Sequence, residues 1–474
     1  MKITTRTESD ALGTISVPKN AYYGSFTTRA LANFQISGLT APKYFRQSLG
    51  IVKLASCQAN AELNQIQKKE AKAIDQAAHE FINGKFDAEF QIDIFQAGAG
   101  TPYNMNANEI IANRANEILK APKGSYQFIH PNNHVNMSQS SNDVIPTAIR
   151  LATLMALKTL KIEAKKTILA LKKKGTQFKT IIKVGRTHLE DAVPISLGQE
   201  FMAYASAITT TLKTLEESEK DLLTLGIGGT AIGTGINTHP LFQKTIVSKL
   251  TNLTHFKFKP ASNLIETTHS MASLLKASSA LRAMAVEINR IANDLRLLNM
   301  GPKAGIAEIT LPEAEPGSSI MPGKVNPSIA ECMNMICFQV IANDQAVSLG
   351  AQGGQLELNW FTPLIMWNLL FSIQILTNGL SMFHQDCIDG IKANSSQINH
   401  LFEHSLVTAT ALAPYLGYHQ VALLVKEALK AKKPLREIIQ SKNLFPPAKL
   451  TAILSPDKMI HPTLLPPKYT PSLL

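Results

Sequence analysis

The sequence predicts a mainly α-helical protein built around a bundle of long helices, and a few stretches carry that expectation. Between Thr267 and Leu298, the residues Leu281, Met284, Ile288, Ile291, Leu295 and Leu298 recur every three or four positions with no glycine or proline inside. At about 1.5 Å per residue this run makes a rod of roughly 48 Å. Such a rod buries its apolar stripe only by lying along others. Residues 328–349 and 362–380 have the same character, and 147–174 set Leu151, Leu154, Leu157, Leu160, Ile168 and Leu171 against a lysine-rich outer face.

Composition bounds the rest. A chain of 474 residues, 45% hydrophobic and 17% charged, has room for roughly two to four domains and cannot be disordered as a whole. The net charge of +12 and a pI near 9.3 admit nucleic acid, a membrane surface or an anionic small molecule as partners. Lysines cluster at Lys172–Lys174 and between Lys426 and Lys433, but without the interleaved aromatics that stack on bases, so no nucleic-acid partner is expected. The charge reads as solvated helix surface that steers anions mildly. Cys57, Cys332, Cys337 and Cys387 show neither CxxC spacing nor nearby histidine pairs, and read as buried small apolar residues in a reducing compartment. The opening MKITTRTESDALG has no apolar signal-peptide core, and no run of about 18 uninterrupted apolar residues occurs. The expectation is a cytoplasmic protein with no membrane partner.

In order along the chain, the first 50 residues are rich in turn formers and aromatics (Pro18, Tyr22, Tyr23, Gly24, Phe34, Gly38) and predict a surface wrap with at most two short strands. Helical patterning runs from Lys43 to about Asn83, with Leu49, Val52, Leu54 and Leu63 among alanines. AGAGTPYNMN (97–106) then leads into a helix around Glu109–Leu119; its Gly98, Gly100, Thr101 and Asn104 suit an anion cradle, though glycine-rich turns before helices are common. HVNMSQSSNDVIPTA (134–148) crowds Ser138, Ser140, Ser141, Asn142 and Asp143 before a helix expected near Pro146. Capping accounts for one such residue, and a run of five suggests a site. After residue 174 come GRTHLEDAVP (185–194) and a helix through Phe201 toward Leu222. From about Ala393 shorter helices are broken by Pro414, Pro434, Pro446 and Pro447, as a small separate domain would be.

Between long helical segments stands GSSIMPGKVNP (317–327). Gly317 and Gly323 permit positive φ while Pro322 and Pro327 fix φ, so the loop has mobile and stiff joints and could close over something. Ser318, Ser319, Lys324 and Asn326 offer hydroxyls, a cation and an amide suited to a small carboxylate. A polar surface loop shaped only by turn geometry has the same composition. Four polar islands, around Thr101, Ser140, His188 and Ser318, thus interrupt a helical chain and look like pieces of one anion-binding site.

GSSIMPGKVNP resembles the signature loop of the aspartase/fumarase superfamily. AGAGTPYNMN, SQSSND and GRTHLEDAVP resemble that family's other site segments in the same order, and GGTAIGTGINTHP and GPKAGIAEITLP extend the likeness through essentially the whole chain. The resemblance implies a mainly α fold of three domains, here 1–142, 143–393 and 394–474. It implies a central long-helix bundle that forms a twenty-helix tetramer core, composite sites drawn from three subunits, and elimination from a succinyl skeleton with no metal or organic cofactor. It further implies Ser318 as general base. Thr101, Ser140, Ser141 and Ser319 then hold the carboxylate beside the abstracted proton, and Thr187, Lys324 and Asn326 the other carboxylate. Asn142 and His188 lie near the leaving group, with His188 oriented by Glu331; a satisfied structural histidine is the bland alternative.

Within the family, AYYG at Ala21, GSYQFIHPN at Gly124, NDLRLL at Asn293, GQLELN at Gly354 and MIHP at Met459 are closer to ammonia-lyases, as are Ala99 and Pro102 where hydratases carry Ser and Gln. Ser141 and PEAEPGSSIMPGKVNP lean toward hydratases. The expected reaction is loss of ammonia from L-aspartate to give fumarate through an aci-carboxylate, with fumarate hydration to L-malate as the alternative. Pro102 and Tyr103 are unusual for either. A relative kept as an inactive scaffold is a further class, opposed by the intact Ser318, Lys324, Asn326 and His188.

Overall fold

A computed structural model describes residues 4–464, and the chain is mainly helical. Two short strands, β1 (Thr5–Asp10) and β2 (Gly13–Pro18), pair as an antiparallel hairpin ahead of α1 (Ser25–Asn33). The helices α2 (Lys43–Glu62), α3 (Lys68–Ile82) and α4 (Thr101–Ile118) follow, then α5 (Ser141–Gln177), a hairpin of β3 (Ile182–Thr187) and β4 (Glu190–Ser196), and α6 (Leu197–Leu222). The two-residue strands β5 (Thr224–Leu225) and β6 (Lys259–Pro260) flank α7 (Phe242–Thr254). Next come α8 (Leu264–His269), α9 (Ala272–Asn299), β7 (Ile309–Thr310), α10 (Ser328–Gln352), α11 (Thr362–Asp386) and β8 (Lys392–Ala393), the last paired with β7. Five further helices lie between Ser395 and Ile453.

Some boundaries differ from the pattern in the sequence, among them the start of α4, at Thr101 rather than near Glu109. The expected rod from Thr267 is two helices, because Ser270 is extended (φ −98°, ψ 126°) and separates α8 from α9. Helix α5 begins at Ser141, five residues ahead of Pro146, which therefore lies inside the helix and has no N–H to give the Asn142 carbonyl. In α9 the periodic residues are the buried ones: Leu274, Leu281, Met284, Ile288, Ile291, Leu295 and Leu298. Leu281→Ala should therefore cost about 2–5 kcal/mol through lost transfer energy and a residual cavity, read as a lower denaturant midpoint.

The chain forms two compact units, each assembled from three stretches: 1–162 with 211–286 and 336–377, and 163–210 with 287–335 and 378–474. In the first, α2 packs on α3 and α7 around Leu49, Val52, Ile74 and Ile246, and Tyr103 of α4 stacks on Phe90 and meets Phe45 of α2 at a tilt. The second contains a small core of its own, in which Leu412, Val421, Leu424, Leu435, Ile439 and Leu450 come together. Helix α11 holds one apolar window of mean hydropathy 1.3, but half of that window is buried inside the protein and Asn368 and Asn378 interrupt the helix, as in a core helix.

Candidate active site

Of the candidate residues, Thr101, Ser140, Ser141 and Asn142 belong to the first unit, and Thr187, His188, Ser318, Ser319, Lys324, Asn326 and Glu331 to the second. In the first unit, Gly98 lies against Trp360, where a Cβ would meet the Trp360 Cβ at 2.7 Å, and the Ala99 N–H donates to the Trp360 carbonyl at 2.7 Å. Ala99 and Gly100 then take positive φ (58° and 66°), turning the chain so that α4 starts at Thr101. The Thr101 hydroxyl meets the Ser141 hydroxyl at 2.9 Å, which joins two of the polar islands.

Ser140 and Asp143 form a capping box at the start of α5: the Asn142 N–H donates to Ser140 Oγ (3.3 Å), and the Ser140 N–H to Asp143 Oδ1 (2.9 Å). Capping thus occupies two of the five polar residues and leaves Ser141 and Asn142 at the positive end of a long helix. The Asn142 amide donates to the Ala231 carbonyl at 2.7 Å. Asp143, buried, also takes the Gly228 and Thr230 N–H groups (3.0 and 2.9 Å), tying in the glycine-rich segment 226–235. Burial pushes its carboxyl up to about 6, against those N–H donors. Asn142, Ile232, Gln355, Glu357 and Trp360 line a cavity of about 590 Å³.

In the second unit, His188 and Leu189 are the two turn residues of the β3–β4 hairpin, between the paired Thr187 and Glu190. Both have positive φ (57° and 64°), the geometry of a primed turn usually left to Asn or Gly. The strained turn sets the exposed His188 ring at the hairpin tip. Arg186 and Lys183 on β3 clasp Glu308, whose carboxylate is wholly buried: Arg186 Nη1 and Nη2 lie 3.1 and 3.0 Å from it, and Lys183 Nζ 3.1 Å. Glu308 immediately precedes β7. Beside the clasp, a cavity of about 560 Å³ is lined by Thr187, Leu189, Glu200, Asp294 and Met459, and burial raises the pKa of both Glu200 and Asp294.

The loop 317–327 is stapled at its ends. The Gly317 N–H donates to the Lys324 carbonyl (2.8 Å), the Asn326 amide to the Gly317 carbonyl (2.7 Å), and Lys324 Nζ to Asn326 Oδ1 (2.7 Å). Gly323 supplies the positive φ of 76° that the reversal requires. Ser318 Oγ accepts the Met321 N–H (2.9 Å) and the Ile320 N–H (3.2 Å). Two backbone donors on one serine oxygen favour its deprotonated form. Lys324, Asn326 and Arg296 line a cavity of about 600 Å³. Glu331 lies in the first turn of α10. Among the described residues, no hydrogen bond or ion pair links His188 to Glu331 or to the loop, and no cluster of three or more His, Cys, Asp or Glu is placed to hold a metal ion.

Reading the sequence missed Lys53, Trp360, Arg186 and Glu308. Only Lys53 left a signal, as a lysine inside the apolar run LGIVKLAS.

A family profile described as "Lyase" matches residues 13–342, and one described as "Fumarase C C-terminus" matches 408–461. The chain is 45% identical over 466 residues to the aspartate ammonia-lyase of Pseudomonas canavaninivorans, covering 98% of each. It is 42% identical to the class II fumarate hydratase of Neisseria meningitidis, covering 97% of this chain and 99% of that one. A crystal structure described as fumarate lyase:delta crystallin from Brucella melitensis bound to cobalt superposes with a TM-score of 0.94 at 43% identity, over 97% of this chain and 100% of that one.

Proposed function

Because the chain belongs to the lyase family of the aspartate ammonia-lyases and class II fumarate hydratases, we propose that it eliminates ammonia from L-aspartate to give fumarate. The observation that carries an elimination is Ser318 Oγ receiving two backbone N–H groups on a glycine-flanked loop. Ammonia rather than water is favoured because relatives named aspartate ammonia-lyase reach 45% identity and those named fumarate hydratase 42–43%. The segments AYYG, GSYQFIHPN and GQLELN point the same way.

The proton to be removed sits next to a carboxylate and is very weakly acidic. Its loss to the Ser318 alkoxide leaves an electron pair that flows into that carboxylate, doubling its negative charge. Thr101, Ser140, Ser141 and Ser319 would face this aci-carboxylate, where donors that strengthen as charge develops lower the barrier. The helix α5 N-terminus adds its positive end. Thr187, Lys324 and Asn326 would hold the second carboxylate. Collapse of the intermediate breaks the carbon–nitrogen bond, and the nitrogen leaves with the electron pair beside Asn142 and His188.

These groups would meet between subunits of a homotetramer. The exposed apolar side chains Met335, Phe338 and Leu349 on α10, 64, 56 and 54% exposed, support such burial. The same reading divides the chain at residues 142 and 393. Four free cysteines support a reducing, cytoplasmic setting. The test is ultraviolet absorbance of the conjugated product with L-aspartate and then L-malate. Fumarate from aspartate is the expected result; fumarate from malate alone would make the protein a class II fumarase, the reading Ser141 favours, and turnover of neither would end the proposal.

A further inference from the structure

We propose that Lys53 is a positioning residue for this elimination: its buried ammonium holds the Asn104, Asn136 and Gln139 side chains so that Thr101 and the Ser140–Asn142 turn present their donors together. The inference rests on the reaction proposed above.

Lys53 lies in the middle of α2 and is wholly buried. Its Nζ donates to Asn104 Oδ1 (2.6 Å), Gln139 Oε1 (2.9 Å) and Asn136 Oδ1 (3.1 Å). Three acceptors and no donor match the three hydrogens of an ammonium and offer nothing to the lone pair of a neutral amine. A buried lysine is rare and costly, and a methionine of similar length would pack α2 without that cost, so its presence asks for a reason beyond packing.

The partners all lead to the same place. Asn104 stands one turn into α4 from Thr101, and Gln139 immediately precedes Ser140. Asn136 Oδ1 also accepts from the amides of Asn104 (3.1 Å) and Asn108 (3.2 Å), and Asn136 Nδ2 donates to the Gln139 carbonyl (3.2 Å). Losing the ammonium would leave Asn104 Oδ1 and Gln139 Oε1 without their donor and free both segments. The charged group facing Lys53 is Asp143, held by its three backbone donors. Burial moves the two groups toward each other, Lys53 down to about 7 and Asp143 up to about 6, as expected of charges kept out of water. A cation behind the turn also favours the extra negative charge of an aci-carboxylate.

The test compares full-length wild type, Lys53→Met, Gln139→Glu and Gln139→Met, using whichever of L-aspartate and L-malate turns over faster. It reads kcat, the inhibition constant of succinate and the thermal midpoint. In folded Lys53→Met, kcat is expected to fall on the order of 10- to 100-fold while the succinate constant stays within about threefold, the signature of a contribution made in the transition state. A lysine that only packs would lower the midpoint and leave kcat unchanged, and that result overturns the inference. If Lys53→Met does not fold, Gln139→Glu decides, read against Gln139→Met: both lose the Nε2 bonds to the Val135 and Met137 carbonyls (3.0 Å each), and only the first keeps an acceptor on Nζ while cancelling its charge. A fall in kcat of about tenfold or more in folded Gln139→Glu beyond that in Gln139→Met supports the role; kcat no lower than that of Gln139→Met removes it. A wild type inactive on both substrates overturns the proposed function and this inference with it. An active wild type with unaffected variants overturns this inference alone.

Discussion

Ser318→Ala is expected to lower kcat by about 10²–10⁴-fold, the range for removing a positioned general base. The protein itself should stay folded. Ser318 is half-buried on a surface loop, and the Ile320 and Met321 N–H groups released by the change are on exposed residues that water can satisfy. Its unfolding midpoint should therefore move by no more than about 0.5 kcal/mol in equivalent stability. Steady-state fumarate formation and denaturant unfolding of the same preparation check both halves. If kcat of the folded variant lies within about threefold of wild type, Ser318 is not the base, and the two donors on its oxygen serve only the loop's shape.

Glu308→Gln carries the largest expected effect on stability. The Glu308 carboxylate is wholly buried, and the Lys183 side chain that pairs with it is 3% exposed. Replacing the carboxylate with an amide removes the negative charge that Lys183 and Arg186 share and leaves them the Val184 carbonyl (3.0 and 3.4 Å) and, for Lys183, the more distant Glu200 (3.5 Å). Breaking a buried pair from one side costs about 3–5 kcal/mol. Arg186 and Lys183 lie on the strand that ends at Thr187, next to His188, so the hairpin tip should lose its aim as well, and kcat/KM should fall with the midpoint. An unchanged midpoint would mean that the cations find other partners and that the clasp is dispensable.

The helical bundle was legible because burial imposes a period of 3.6 on the sequence, and residues such as Ile288, Ile291 and Leu295 obey it without interruption. The polar islands were legible because runs of Gly, Ser, Asn and Pro break the apolar period between such rods, a composition that turn geometry alone also produces. The hairpin hidden in GRTHLEDAVP was not, since its turn uses His188 and Leu189 at positive φ in place of the Asn-Gly that announces such turns. Nor was the start of α5, because Pro146 marks a helix start while the capping box that actually begins it needs both Ser140 and Asp143 to be recognised as a pair. Lys53 and Glu308 were missed for another reason. Periodicity assigns charged residues to the surface, and their partners, Gln139 and Arg186, lie 86 and 122 residues away in sequence.

The way each compact unit is stitched from three separated stretches bears on how the protein is made. At a synthesis rate of roughly 5–20 residues per second, the first unit stays incomplete until Thr377 has emerged, on the order of 20–75 s after initiation. Until then Arg282 on α9 waits at the ribosome without Asp344, and the Ala99 N–H without the Trp360 carbonyl, a nascent chain suited to chaperone capture and poorly suited to being expressed in halves.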